Sequence, residues 1–173
     1  MGCDIHVYVE AWKGEEPTSE HGFTALFPKI NPGHDYAMFA RLANVRGDHK
    51  NALPLRGLPV VIGYMARNDN TIYVSKDEGK GERFASEPMA LRWIESGSSK
   101  VIWTRDDGTI GAVTDPDWHS HTWLTPEEWD AAIFDRESER DWPLAVEYHI
   151  ISDMMHGLRR RGHNSRVVFW FDN

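Results

Sequence analysis

The chain has 173 residues, a net charge of -8, 40% apolar and 12% aromatic residues, the balance of a globular protein and not of a disordered one. The acid excess excludes a general coat for a nucleic-acid polymer, which needs a broad basic face, and confines any anionic ligand to a local arginine cluster. One cysteine excludes an internal disulfide and fits a reducing cytoplasm, while no signal peptide and no apolar run near the ~20 residues of a membrane span are read.

The first ten residues carry the strongest pattern. Apolar Ile5, Val7 and Val9 alternate with His6 and Tyr8, which predicts a strand with one core face. Its other face holds Asp4, His6, Tyr8 and Glu10, and is either wet or one wall of a site. Gly2-Cys3 does not signal myristoylation, because His6 stands where that pattern needs Ser or Thr. Segment 13–22 reads as a surface loop, as does 28–34. Asp35 is placed to cap a short helix with Tyr36, Phe39, Ala40, Leu42 and Ala43 at helical spacing, stopping at Asn44-Val45-Arg46-Gly47. Pro54 and Pro59 with Gly57 make 48–59 largely loop, with Arg56 in its middle.

Val60 to Met65 is ambiguous between strand and helical turn. Thr71 to Val74 reads as a strand, and Ser86 to Ser96 as a helix capped by Ser86, with Gly97 beyond it. Val101 to Thr104 and Thr109 to Val113 flank Asp106-Asp107-Gly108 and predict a β-hairpin. Gly79-Lys80-Gly81 lacks the context of a phosphate loop. Thr125-Pro126-Glu127-Glu128 is a capping box opening a helix to about Phe134. The longest helix is expected over 141–161, with Leu144, Tyr148, Ile151, Met155 and Leu158 on one stripe. Arg166 to Asp172, apolar on both faces, should be a central strand. The expected class is α+β: a single domain over 1–173, a mixed β-sheet with the N- and C-terminal strands central, and several packing helices.

The second concentrated stretch is Asp117-Trp118-His119-Ser120-His121-Thr122-Trp123. On an extended backbone His119 and His121 would share a face, the arrangement by which His-x-His supplies two metal ligands. With Asp4 and His6 they would form a mixed nitrogen and oxygen site for Zn, Mn or Fe, able to activate water. The alternative is that both imidazoles close a loop over packed Trp118 and Trp123. His149, Asp153 and His156 share a helix face and read as solvated. Arg41, Arg46, Arg56 and Arg166 lie beside Trp, Tyr and His, the inventory a nucleotide-sized anion requires.

The blocks Met1-Gly2-Cys3-Asp4-Ile5-His6, Asp35-Tyr36-x-x-Phe39-Ala40-x-Leu42-Ala43-x-Val45-Arg46, Arg56-Gly57-Leu58-Pro59, Asp117 to Thr125 and Val168 to Asn173 are similar to those of a widespread family of small bacteriophage proteins. The resemblance implies an anti-defence setting in the cytoplasm of an infected bacterial host. The expected function is sequestration of a nucleotide-derived immune signal, cyclic ADP-ribose-like or a cyclic dinucleotide, by a homo-oligomer that needs no cofactor. Asp4, His6, Tyr36, Arg46, Arg56, Trp118, His119, His121 and Trp123 would bind it. The alternative is a phosphodiesterase-type hydrolase in which His119 and His121 act as acid and base, or join Asp4 and His6 around a divalent metal. A third reading is a protein–protein inhibitor anchored by exposed tryptophans.

Overall fold

The computed structural model describes residues 2–75, 83–139 and 142–172, so the Gly79-Lys80-Gly81 reading and the proposed helix start at Asp141 lie outside the described residues. Among the described residues there are eight strands and five α-helices: β1 (Ile5–Trp12), β2 (Ala25–Leu26), α1 (Tyr36–Ala43), α2 (Tyr64–Asp69), β3 (Thr71–Ser75), β4 (Phe84–Ser86), α3 (Glu87–Glu95), β5 (Val101–Thr104), β6 (Ile110–Thr114), β7 (His119–Leu124), α4 (Pro126–Glu139), α5 (Val146–Arg159) and β8 (Asn164–Phe171). The class is α+β, as expected. The chain divides into two compact units, Met1–Ala66 with Ser120–Asn173, and Arg67–His119. Among the described residues no helix is long and apolar enough to cross a membrane.

In the first unit the sheet order is β2-β1-β8-β7, which puts the N- and C-terminal strands at its centre. β1 and β8 pair antiparallel along their whole length, with His6 opposite Trp170, Tyr8 opposite Val168 and Glu10 opposite Arg166. Ile5, Val7 and Val9 of one strand and Val167, Phe169 and Phe171 of the other point to a core shared with α1, α4 and α5. That core includes Trp129, whose indole N–H donates to the Tyr148 carbonyl at 3.0 Å, so its polar atom is buried without loss.

The helix ends follow the sequence signals. The Asp35 carboxylate accepts the Met38 N–H at 2.8 Å, and Asn44 closes α1 in the left-handed conformation at φ 53°. The capping box is made reciprocally: Thr125 N–H donates to Glu128 at 2.9 Å and Glu128 N–H to the Thr125 hydroxyl at 3.3 Å. α4 runs five residues beyond the expected Phe134, to Glu139. α5 begins at Val146, later than expected, because Pro143 has no N–H to donate and turns the residue before it away from helical geometry. Leu144 nevertheless joins the core from the non-helical approach.

The other face of β1 is not wet. His6, Tyr8 and Glu10 are 7%, 3% and 1% exposed, and Arg166 and Trp170 on β8 are equally buried. The proline-rich segment and the residues that follow it to Gly63 are tied to this face by three hydrogen bonds: Arg56 N–H to Thr122 Oγ1, Gly63 N–H to Glu10 Oε1, and Arg166 Nη2 to the Val61 carbonyl.

The second unit is a sheet of order β4-β3-β6-β5 with α3 on one face. Ile72, Val74, Ala85 and Val113 pack there with Ala90, Trp93 and Ile94. The β5–β6 hairpin forms on the expected Asp-Gly turn, with Gly108 at φ 82°. The short β4, paired parallel to β3, has no counterpart in the sequence reading.

Candidate functional site

The polar face of the first unit's sheet has two ends. At one, where β1 begins and β8 ends, the His6 Nε2 lies 2.8 Å from Asp172 Oδ2 and its Nδ1 lies 3.2 Å from Lys29 Nζ. A lysine ammonium donating to Nδ1 leaves Nε2–H to donate to Asp172, which sets a neutral tautomer. Asp172 also accepts the Asp4 N–H at 2.9 Å. Burial by itself would raise the Asp172 carboxyl, but His6, the Asp4 N–H and Lys29 together hold it below the usual carboxylate range. The Asp4 carboxylate bonds His34, whose ring stands 6.3 Å from that of Tyr36. Arg46, at φ 57°, donates to the Gly2 carbonyl at 3.0 Å.

The structure thus gathers Asp4, His6, Tyr36 and Arg46 around this end, and it adds Lys29, His34 and Asp172. His121 approaches the same layer from β7: its ring lies 5.7 Å from Trp170, which in turn stacks on His6 at 6.1 Å. His121, of the 117–123 stretch, and His6 therefore stand on the same indole, Trp170. The 117–123 stretch is not a loop from His119 onward but a strand. Its alternation is broken at Ser120, whose φ of 54° is left-handed, so the regular strand geometry that would set His119 and His121 on one face is lost. Trp118 and His119 belong to the second unit, where the Trp118 N–H donates to the Asp115 carbonyl at 3.4 Å.

At the other end, four residues of strand and so about 13 Å along β1, Arg166 is 2% exposed. Its Nε donates to Glu10 at 2.8 Å and its Nη1 to Glu16 at 2.5 Å. Three rings surround the guanidinium, with Trp12, Phe23 and Trp123 centroids at 5.3, 5.4 and 5.9 Å. Beside it opens a cavity of about 310 Å³ lined by Trp12, Trp123, Arg159, Arg166, Glu16 and Glu127 among others. Arg159 pairs with Glu127, and both carboxylates here are largely exposed (Glu16 58%, Glu127 61%), whereas Glu10 is buried. Burial pushes the Glu10 carboxyl up, and the opposing pull of Arg166 and the Gly63 N–H does not cancel it.

Arg56 is engaged already. Its guanidinium forks onto both oxygens of Glu128, donates to the Trp123 carbonyl at 3.3 Å and lies 4.6 Å above the Trp123 ring. The pair fixes the indole that walls the cavity. The Arg56 fork, against a smaller effect of burial, holds the Glu128 carboxyl below its usual value. With the folded value below the unfolded one, the stabilisation is present above the ordinary glutamate range and is lost as pH falls through the depressed value. Glu128→Gln is expected to flatten the acid limb of the stability–pH profile and to cost about 1 kcal/mol at neutral pH. Urea unfolding of both proteins across that limb checks it; parallel profiles would count against the assignment.

Among the described residues, one set of His and carboxylate ligand atoms converges within 4.8 Å, that of His49, Asp135 and Glu139. Arg41, 3% exposed, sits among them with Nε 2.6 Å from Asp135 and Nη2 2.5 Å from Glu139, supplying the positive charge a cation would bring. The face read as solvated is half-exposed at His149 and His156 and exposed at Asp153, and the two imidazoles pair from it with α4, to Glu137 at 3.0 Å and Asp130 at 2.6 Å.

The cavity residues Trp12, Glu16 and Arg166 lie outside the expected binding set, although a signal for them exists. Trp12 continues the even-numbered face of β1, and antiparallel pairing of the first and last strands allows Glu10 to oppose Arg166, a favourable cross-strand charge pair. No protein-family model, curated protein or solved structure significantly matches this chain.

Proposed function

We propose that this chain is a binding protein that sequesters a nucleotide-derived signal, cyclic ADP-ribose-like or a cyclic dinucleotide, with the cavity beside Arg166 as its seat. The carrying observation is a guanidinium held between Trp12 and Trp123 at the cavity wall. Indole faces take a base by stacking, and guanidinium forks take phosphate. At about 310 Å³ the cavity is at the small end of ligand sites, roughly 300–1,000 Å³, and suits one nucleotide unit of such a signal. Arg166 keeps Glu10 on Nε while its Nη1 faces the exposed Glu16, and Arg159 faces the exposed Glu127. An incoming phosphate would displace these two exposed carboxylates and leave the buried pair intact. The resemblance to phage proteins supports an anti-defence setting, in which slow release and no turnover is what a sponge requires.

The test is depletion of a panel of cyclic dinucleotides and cyclic ADP-ribose derivatives, read by mass detection before and after heat denaturation of the protein. Loss in the native sample with intact return on heating is the expected result. Trp123→Ala should weaken binding by about tenfold or more, the worth of one stacked base. Glu16→Gln should strengthen it by removing a competitor for Arg166. If Trp123→Ala binds as the parent does, the cavity is not the seat. The hydrolase reading would draw on the Asp172–His6 pair, and it requires His6 Nδ1 to exchange its Lys29 donor for the substrate's proton. Return of a linear product, abolished in His6→Gln, would establish that reading instead.

A further inference from the structure

The second unit carries a surface that the cavity reading does not use. On the face of its sheet opposite α3, register places Phe84, Tyr73, Ala112 and Trp103 in one row across all four strands. Three strand spacings make that row about 14 Å long. Ala112 is fully buried, whereas Phe84, Tyr73 and Trp103 are 48%, 37% and 37% exposed. A soluble sheet normally turns polar side chains to this side, so three large rings in register are an unusual surface. They line an open groove of about 400 Å³ together with Val74, Ser75, Arg105 and Gly111.

The groove is built and held. The Trp103 ring lies flat on Gly111, where a Cβ would fall 2.1–2.3 Å from three of its ring carbons, so no other residue is accommodated there without moving the indole. Arg105 locks the same corner, with Nη1 donating to the Thr109 hydroxyl at 3.2 Å and the Ile110 carbonyl at 2.6 Å, and Nη2 to the Val74 carbonyl. A platform already ordered before binding loses little entropy on binding.

We infer that this row is a stacking platform for a neutral oligosaccharide, whose apolar ring faces lie on the Tyr73, Phe84 and Trp103 side chains. Charge decides against a nucleic-acid strand, the other polymer that stacks on such rows. Carboxylates outnumber Lys and Arg between Arg67 and His119, and the lining cation, Arg105, points its donors at its own backbone and a threonine. A phosphate backbone would find repulsion and no fork. The surface is open, not a slot, which suits ligands that stack by one face.

Titration calorimetry and indole fluorescence with cellohexaose, maltohexaose and an N-acetylglucosamine hexamer test the inference, with a thymidine oligonucleotide as the polyanion. Saturable binding of at least one sugar is expected, weakened about tenfold by Trp103→Ala and by Phe84→Ala, and largely kept in Trp103→Phe. Thermal unfolding of each variant separates lost binding from lost folding, and Trp103→Phe keeps a ring on Gly111 where Trp103→Ala leaves a gap. Failure of all three sugars to bind, unchanged binding in both alanine variants, or tighter binding of the oligonucleotide would overturn it. These sugars do not probe the Arg166 cavity, so either site can fail without the other.

Discussion

Arg166→Ala is expected to lower stability by about 3–5 kcal/mol, the cost of leaving a buried charge without its partner. The residue is 2% exposed, and Glu10 beside it 1%. Without the guanidinium, the Glu10 carboxylate keeps the Gly63 N–H at 2.5 Å but loses the charged donor that stood 2.8 Å away. The Val61 carbonyl loses a donor as well, so the segment tied across the polar face loosens with it. The pH dependence has a definite sign. Glu10 sits above its usual value in the folded protein, so its contribution is most favourable below the ordinary glutamate range and is lost as pH rises through the raised value. Removing Arg166 raises that value further. The deficit of Arg166→Ala should therefore be smaller near about pH 5 than near about pH 7.5 in urea unfolding. The double variant Glu10→Met with Arg166→Met should recover most of the loss, since isosteric apolar pairs often replace buried ion pairs at little cost. A single variant that unfolds like the parent at both pH values would refute this account of the strand pair.

Asp35→Ala should be about as damaging, for a different reason. One carboxylate does two things: it accepts the Met38 N–H as the cap of α1, and it takes Arg136 through contacts at 2.7, 3.0 and 3.2 Å. The Arg136 side chain is fully buried and is otherwise placed near the Trp142 carbonyl at 3.4 Å and the Trp142 ring at 5.2 Å. Loss of a cap costs about 1 kcal/mol and an unpaired buried charge about 3–5 kcal/mol, with incomplete additivity because the groups are shared. Asp35→Asn keeps one acceptor oxygen, enough for the Met38 cap and the Arg136 Nε, but loses the charge and the second acceptor, and should lose roughly half as much. Arg136→Met should cost less than Asp35→Ala, because Asp35 then keeps its cap and can reach water. Equal losses in Asp35→Ala and Asp35→Asn, measured by urea unfolding, would reduce the residue to a charge partner alone.

Much of the local structure was legible because it rests on neighbours in sequence. Thr125 and Glu128 are three residues apart and cap each other; Asp35 reaches only to Met38; Gly108 meets a turn's backbone need by itself. The alternation of Ile5 to Val9 marked one face for the core before any partner strand was known. Errors arose where local pattern met an unseen constraint. Pro143 delayed α5 to Val146, and left-handed Ser120 broke the two-residue period on which the His119–His121 pairing rested. The binding-residue set was only half gathered: Asp4, His6, Tyr36 and Arg46 share one end, while Trp123 stands at the other beneath Arg56, which is held by Glu128.

What the amino-acid sequence determined by itself was the material of the site: a strand face of His6, Tyr8, Glu10 and Trp12, and a closing strand with Arg166 and Trp170. Only the tertiary structure decided that these faces are one layer, that the proline-rich segment buries it, and that a cavity opens where Arg166 meets Trp12 and Trp123. The reason is physical. Capping and alternation are settled within a few residues, but a guanidinium is a ligand fork, a structural clamp or a solvated charge according to which carboxylate, from up to 156 residues away, is packed against it.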